Sequence, residues 1–154
     1  MQSLSTKSLF RIKCRLHLQH PYKVACTSPT SPSLLVSDYD EALAFYVGRL
    51  GFALVEDKAE PAKRWVTIRP PGAPDTAAMI LLARAVTPEQ RAAVGDQTGG
   101  RVFLFLQTDD FARDHARFTA AGVEWVRPPA THAYGTVAVF RDPFGNPWDL
   151  IEPA

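Results

Sequence analysis

The stretch VSDYDEALAFYVGRLGF, Val36 to Phe52, is echoed further along by QTDDFARDHARFTAAGV, Gln107 to Val123. Each opens on a short β-like run, reaches an Asp, continues in a helical pattern and stops on a Gly followed by an apolar residue. Thirteen positions separate Asp38 from Gly51, and thirteen separate Asp109 from Gly122. The physics of such a unit is local: the Asp side chain accepts from free N–H groups of the first helical turn, and the Gly supplies a left-handed stop. In the first copy Ala42, Phe45, Tyr46 and Leu50 recur at helical spacing and predict one buried face. Phe111, His115, Phe118 and Ala121 repeat the stripe more weakly, and His115 reads there as a helix-face residue rather than a ligand.

Outward from the two helices the pattern changes to short strands. Before the helices lie Ser33–Ser37 and Arg101–Gln107. After the first come Ala53–Asp57, Lys63–Arg69 and Ala78–Arg84, and after the second Glu124–Arg127, Gly135–Arg141 and Pro147–Glu152. Matching turns, RPPGAP (Arg69–Pro74) and RDPFGNP (Arg141–Pro147), precede the last strand of each set. The chain therefore reads as an α+β fold of two βαβββ modules, residues 33–84 and 101–153. The linker between them carries a short helix from Pro88 to Val94. A four-stranded unit buries little alone, so the modules are expected to join into one cupped mixed sheet with helices outside.

Length and composition agree with a single domain at 33–153. The 154 residues are 46% hydrophobic and 21% charged, ordinary globular values. No apolar run nears the roughly 18–20 residues needed to span a bilayer, and a net charge of +1 gives no reason to expect nucleic acid or a membrane surface. The balance is uneven along the chain. Residues 1–32 hold Lys7, Arg11, Lys13, Arg15 and Lys23 and no acid, leaving 17 − 5 = 12 basic against 16 acidic residues in the remainder. That segment reads as a poorly ordered basic extension, although its acid-free, Ser-containing composition also suits an organellar transit segment. Cys14 and Cys26 both lie in it, so the domain has no thiol for a disulfide or a zinc site, which suits a reducing cytoplasm.

LLVSDYDEALAFYVGRLGF, RWVTIRPPG and FRDPFGNPWDLIEP together resemble the vicinal oxygen chelate superfamily: glyoxalase I, bleomycin-resistance proteins and extradiol dioxygenases. The resemblance covers about residues 33–153. It implies a cupped sheet, often completed across a homodimer, around a small-molecule cavity. In metal-dependent members of that family, one ligand lies on the first strand and one on the last strand of each module, with His, Glu or Gln typical. Carried over, those places fall at Ser31, in the acid-free AAMILLARA, at Phe103 and at Glu152. A single carboxylate does not replace three or four N/O ligands, so the expected cofactor is none and the divalent metal is disfavoured.

What the resemblance leaves is a pocket. If Glu152 faces the cup, strand alternation brings Trp148 and Leu150 with it, opposite Phe103, Phe105 and Gln107. Trp65 and Tyr134 are placed at the rim, where they could clamp a flat ligand. Desolvation among these aromatics would raise the Glu152 pKa and suit it to act as a general base. Loop residue His132 could swing in. The expected function is metal-independent binding of a small molecule. A metal-dependent lyase or dioxygenase is one alternative, and a pseudo-enzyme acting through its dimer surface the other. The first reading predicts that Glu152→Gln and Trp148→Ala change ligand binding more than stability.

Overall fold

The computed structural model describes residues 31–61 and 63–154. The expectations for the N-terminal extension and for both cysteines lie outside the described residues. Both βαβββ modules are present. In the first, β1 (Ser33–Val36) leads into α1 (Tyr39–Leu43), which runs on as a π-helical stretch (Ala44–Arg49); β2 (Ala53–Ala59), β3 (Arg64–Arg69) and β4 (Ile80–Arg84) follow. The linker carries α2 (Pro88–Ala93). The second module repeats the order with β5 (Leu104–Gln107), α3 (Phe111–Ala120), β6 (Glu124–His132), β7 (Gly135–Arg141) and β8 (Pro147–Pro153).

The strand orders are identical, β1-β4-β3-β2 and β5-β8-β7-β6, with β1/β4 and β5/β8 parallel and the other pairs antiparallel. Each module keeps its own four-stranded sheet, and no ladder among the described residues joins the two. What unites them is a shared core. Leu34, Val36, Val66, Ile68, Ile80 and Leu82 from the first sheet pack in one cluster with Ala138, Phe140, Trp148 and Leu150 from the second, together with Phe45, Tyr46 and Phe118 from the helices. Side chains of this size contribute roughly 1.5–3 kcal/mol each on full burial.

The helix ends behave as their sequences require, with one exception. Asp38 accepts from the backbone N–H groups of Asp40 and Glu41, both at 2.9 Å. In the second module the cap is Asp110, which accepts from Arg113 N at 2.9 Å, and not Asp109, which pairs with the Arg113 guanidinium at 2.7 Å. Gly51 and Gly122 are left-handed, at φ 79° and 75°. Beside these stops the modules exchange contacts: Arg49 Nη1 donates to Gly122 O at 3.3 Å, and Arg117 Nη1 to Leu50 O at 3.0 Å. A cation at the carbonyl end of each helix is where the helix dipole favours it.

The turn in RDPFGNP closes the structure between modules. Asp142, 4% exposed, accepts from Phe144 N, Asn146 N, Asn146 Nδ2 and, across the core, Tyr46 Oη at 2.6 Å. Burial first, then the Asp142 charge and hydrogen bond, push the Tyr46 phenol well above its ordinary pKa, so it stays a donor. The linker docks on the same turn: a Cβ on Gly95 would stand 2.1 Å from Phe144 O. Gln97 then caps the edge of β1, accepting from Leu35 N at 2.9 Å and donating to Ser33 O at 2.7 Å.

Candidate ligand-binding site

Register decides which side chains can meet a ligand, because residues paired across strands share a face. On the second sheet Leu106, Leu150 and Ala138 lie in one row, and Leu104, Trp148 and Phe140 in the next. These point into the core with the helices; Trp148 and Leu150 are each 1% exposed. The opposite face carries Phe105, Asp149 and Val139 in one row, then Gln107, Ile151 and Val137. On the first sheet the corresponding free face presents Leu35 with Ala83, and Ser33 with Leu81 and Thr67.

The expectation that Trp148, Leu150 and Glu152 face the cup is therefore corrected. Trp148 is packed against Tyr46, Phe52, Phe103 and Phe140, with ring centroids 5.6–6.3 Å apart. The face with an unbroken apolar row is the one the helices need, and it turns inward. Phe103 precedes β5 and leans on that core. Glu152 Oε2 accepts from Phe111 N at 3.0 Å, so its carboxylate sits on the first turn of α3. Phe105 and Gln107 do lie on the free face, and with Glu152 they border an open groove of about 870 Å³ against the Pro70–Pro74 turn.

The rim residues are not brought together. Trp65 belongs to the first sheet, where its Nε1 donates to Glu56 at 3.0 Å and Lys63 lies 5.0 Å from its ring. Tyr134 stands at the β6–β7 hairpin, stacked on His132 at 5.0 Å. His132 itself ends β6 rather than sitting in a loop, because the strand continues through Pro128 and Pro129 as an edge, where a missing donor is tolerated. His115 stacks between Phe111 and Trp125 at 5.5 and 4.2 Å on the helix face.

The carboxylate that meets the free face is Asp149. It lines a depression of about 430 Å³ with Gly100, Arg101, Val102, Phe105 and Arg127. Its Oδ1 is buried with no hydrogen-bond partner among the described residues. Burial raises the Asp149 carboxyl above its ordinary pKa, and the Arg127 charge offsets part of the rise. The sequence places a desolvated acid beside aromatic surface at Glu152, whereas the acid on the free face beside Phe105 is Asp149, three positions earlier. Phe105, 66% exposed, stands between this depression and the larger groove. Asp149 was legible in principle, as the only acid on β8 whose neighbours in alternation leave the continuous apolar row free to face the helices.

Residues 26–150 match the model of the Glyoxalase/Bleomycin resistance protein/Dioxygenase superfamily. The chain belongs to this superfamily. It is 55% identical over 122 residues to an uncharacterized protein of Shewanella frigidimarina, covering 78% of this chain and 89% of that one. Among solved structures it resembles TnmS3, an antibiotic binding protein from Streptomyces sp. CB03234, at 31% identity and TM-score 0.69, over 85% of this chain and 99% of that one. A superfamily member from Sphaerobacter thermophilus is also 31% identical, with TM-score 0.63, over 82% and 97%.

The metal used by some members of the superfamily does not fit this donor set. The free faces of β1, β4, β5 and β8 offer Ser33, Leu35, Leu81, Ala83, Phe105, Gln107, Asp149 and Ile151. Only Asp149 is a strong ligand there, and Gln107 is a weak one. No group of three or more His, Cys, Asp or Glu capable of holding a metal occurs among the described residues. Combining one chain's β1 and β4 with a second copy's β5 and β8 adds no further acid, since the same eight residues return. No helix among the described residues is long and apolar enough to cross a membrane.

Proposed function

We propose that this chain binds a small, largely apolar molecule on the free face of its second sheet, without a catalytic metal. The observation that carries the reading is the pairing of exposed Phe105 with a single, partly desolvated Asp149 in one depression. The depression sets the polar groups of Arg101, Arg127 and Asp149 beside the apolar surface of Val102 and Phe105, and placed polar groups next to an aromatic wall are what fixes a small molecule's orientation. TnmS3, 31% identical to this chain, is an antibiotic binding protein, which supports the same class of ligand here. Glyoxalase or dioxygenase chemistry is disfavoured because its Lewis acid has one carboxylate to bind to. The free faces also carry Leu35, Leu81, Phe105 and Ile151, and two copies closing these faces on each other would complete the cup as a homodimer.

Thermal-shift screening of the full chain against bleomycin and planar aromatic antibiotics tests the reading. At least one compound is expected to raise the Tm of the wild type and to lose that effect in Phe105→Ala. Turnover of a hemithioacetal or catechol that needs added divalent metal would overturn it.

A further inference from the structure

Asp149 is an unusual choice for a site that only needs to be greasy. An acceptor with a buried, unpartnered oxygen costs the unliganded protein stability, and such groups in native structures call for a specific partner. The other polar groups of the depression restrict what that partner is. Arg101 and Arg127 line it alongside Asp149, and the Arg127 charge acts on the carboxyl. An anionic ligand group would meet the Asp149 charge at close range. A full cation would be desolvated in a depression that two arginines also line. A ligand with only carbonyl or ether oxygens would leave Oδ1 as it is, still unpaired. A neutral O–H or N–H donor has none of these costs. Phe105, on the same row of the face, offers a flat surface to the rest of the molecule.

From this geometry we infer that Asp149 selects neutral, flat aromatic ligands bearing a hydrogen-bond donor, with the donor at Asp149 Oδ1 and the ring on Phe105. The inference rests on the binding reading above and names the ligand class of that site. Its energetic logic is a trade between stability and recognition, in which a group unfavourable in the empty protein becomes satisfied on binding. A site that recognises a donor discriminates strongly against the analogue lacking it, because the buried acceptor is then left unpaired.

A matched pair of probes tests it: 2-naphthol, which has a donor, and 2-methoxynaphthalene, which has the same ring and none. Calorimetric titration of the wild-type full chain should favour 2-naphthol by at least about tenfold. Asp149→Leu and Asp149→Asn should bring the two affinities within about threefold, mainly by weakening 2-naphthol. Asp149→Leu should also leave the apo Tm unchanged or raise it, which a residue kept for structure would not do. Equal wild-type affinities for the two probes would overturn the donor assignment while leaving the pocket itself standing. Discrimination that survives in both variants would place the donor elsewhere and also overturn it. Failure of both probes to bind the wild type would overturn the inference together with the reading beneath it.

Discussion

Asp142 accepts hydrogen bonds from four donors, whereas one oxygen of Asp149, later in the same RDPFGNPWDLIEP stretch, is buried with no hydrogen-bond partner among the described residues. The first is a structural hub, and the second is the acceptor proposed to meet the ligand. Asp142→Ala strands Tyr46 Oη and the turn donors in the core, and chemical denaturation should register a loss on the order of 3–5 kcal/mol. Tyr46→Phe removes one bond to a charged acceptor and should cost about 1.5–3 kcal/mol. A double-mutant cycle should then show coupling between the two positions. Asp149 has the opposite sign. Its folded-state pKa is raised, so the folded chain holds the proton to higher pH than the unfolded chain does. That contribution favours folding in acid and is lost as pH rises through the folded value. The Tm of Asp149→Leu relative to wild type should therefore climb as pH is raised above the ordinary carboxylate range, and a pH-independent difference would contradict the assignment.

The helices and strands were legible to different degrees. Helix starts and stops follow from Asp38, Gly51 and Gly122, because capping is a contact between near neighbours. The second cap slipped by one residue, since DD at Asp109-Asp110 offers two candidates and Arg113 claims the first. Asp110→Ala should cost about 1 kcal/mol in thermal or denaturant unfolding, and Asp109→Ala less than about 0.5. The facing of β8 was not legible from alternation alone: a period of two yields two faces without saying which one the helices cover. The same inversion revises two earlier expectations. Trp148→Ala should be a core deletion costing about 3–5 kcal/mol. Glu152→Gln should cost only about 0.5–1 kcal/mol, from a weaker acceptor at α3, with naphthol binding unchanged.

At the scale of the molecule, the repeat in the sequence is a repeat in space, two sheets of identical order sharing one core. That the sheets stay separate in hydrogen bonding was not evident from local patterns, because module docking is set by distant contacts. Tyr46 reaching Asp142 and the reciprocal Arg49 and Arg117 bridges are examples. Among the described residues, the free faces of β1, β4, β5 and β8 offer one strong metal ligand, Asp149. If two copies close these faces, sedimentation of the ligand-free protein should give about twice 17.0 kDa, and a monomer across the micromolar range would rule that arrangement out. Binding without metal is tested by titrating 2-naphthol into protein stripped with chelator, dialysed, and verified free of divalent ions by elemental analysis. Unchanged affinity before and after stripping is the expected result. Binding that disappears with the metal and returns with one equivalent of a divalent ion would contradict the account.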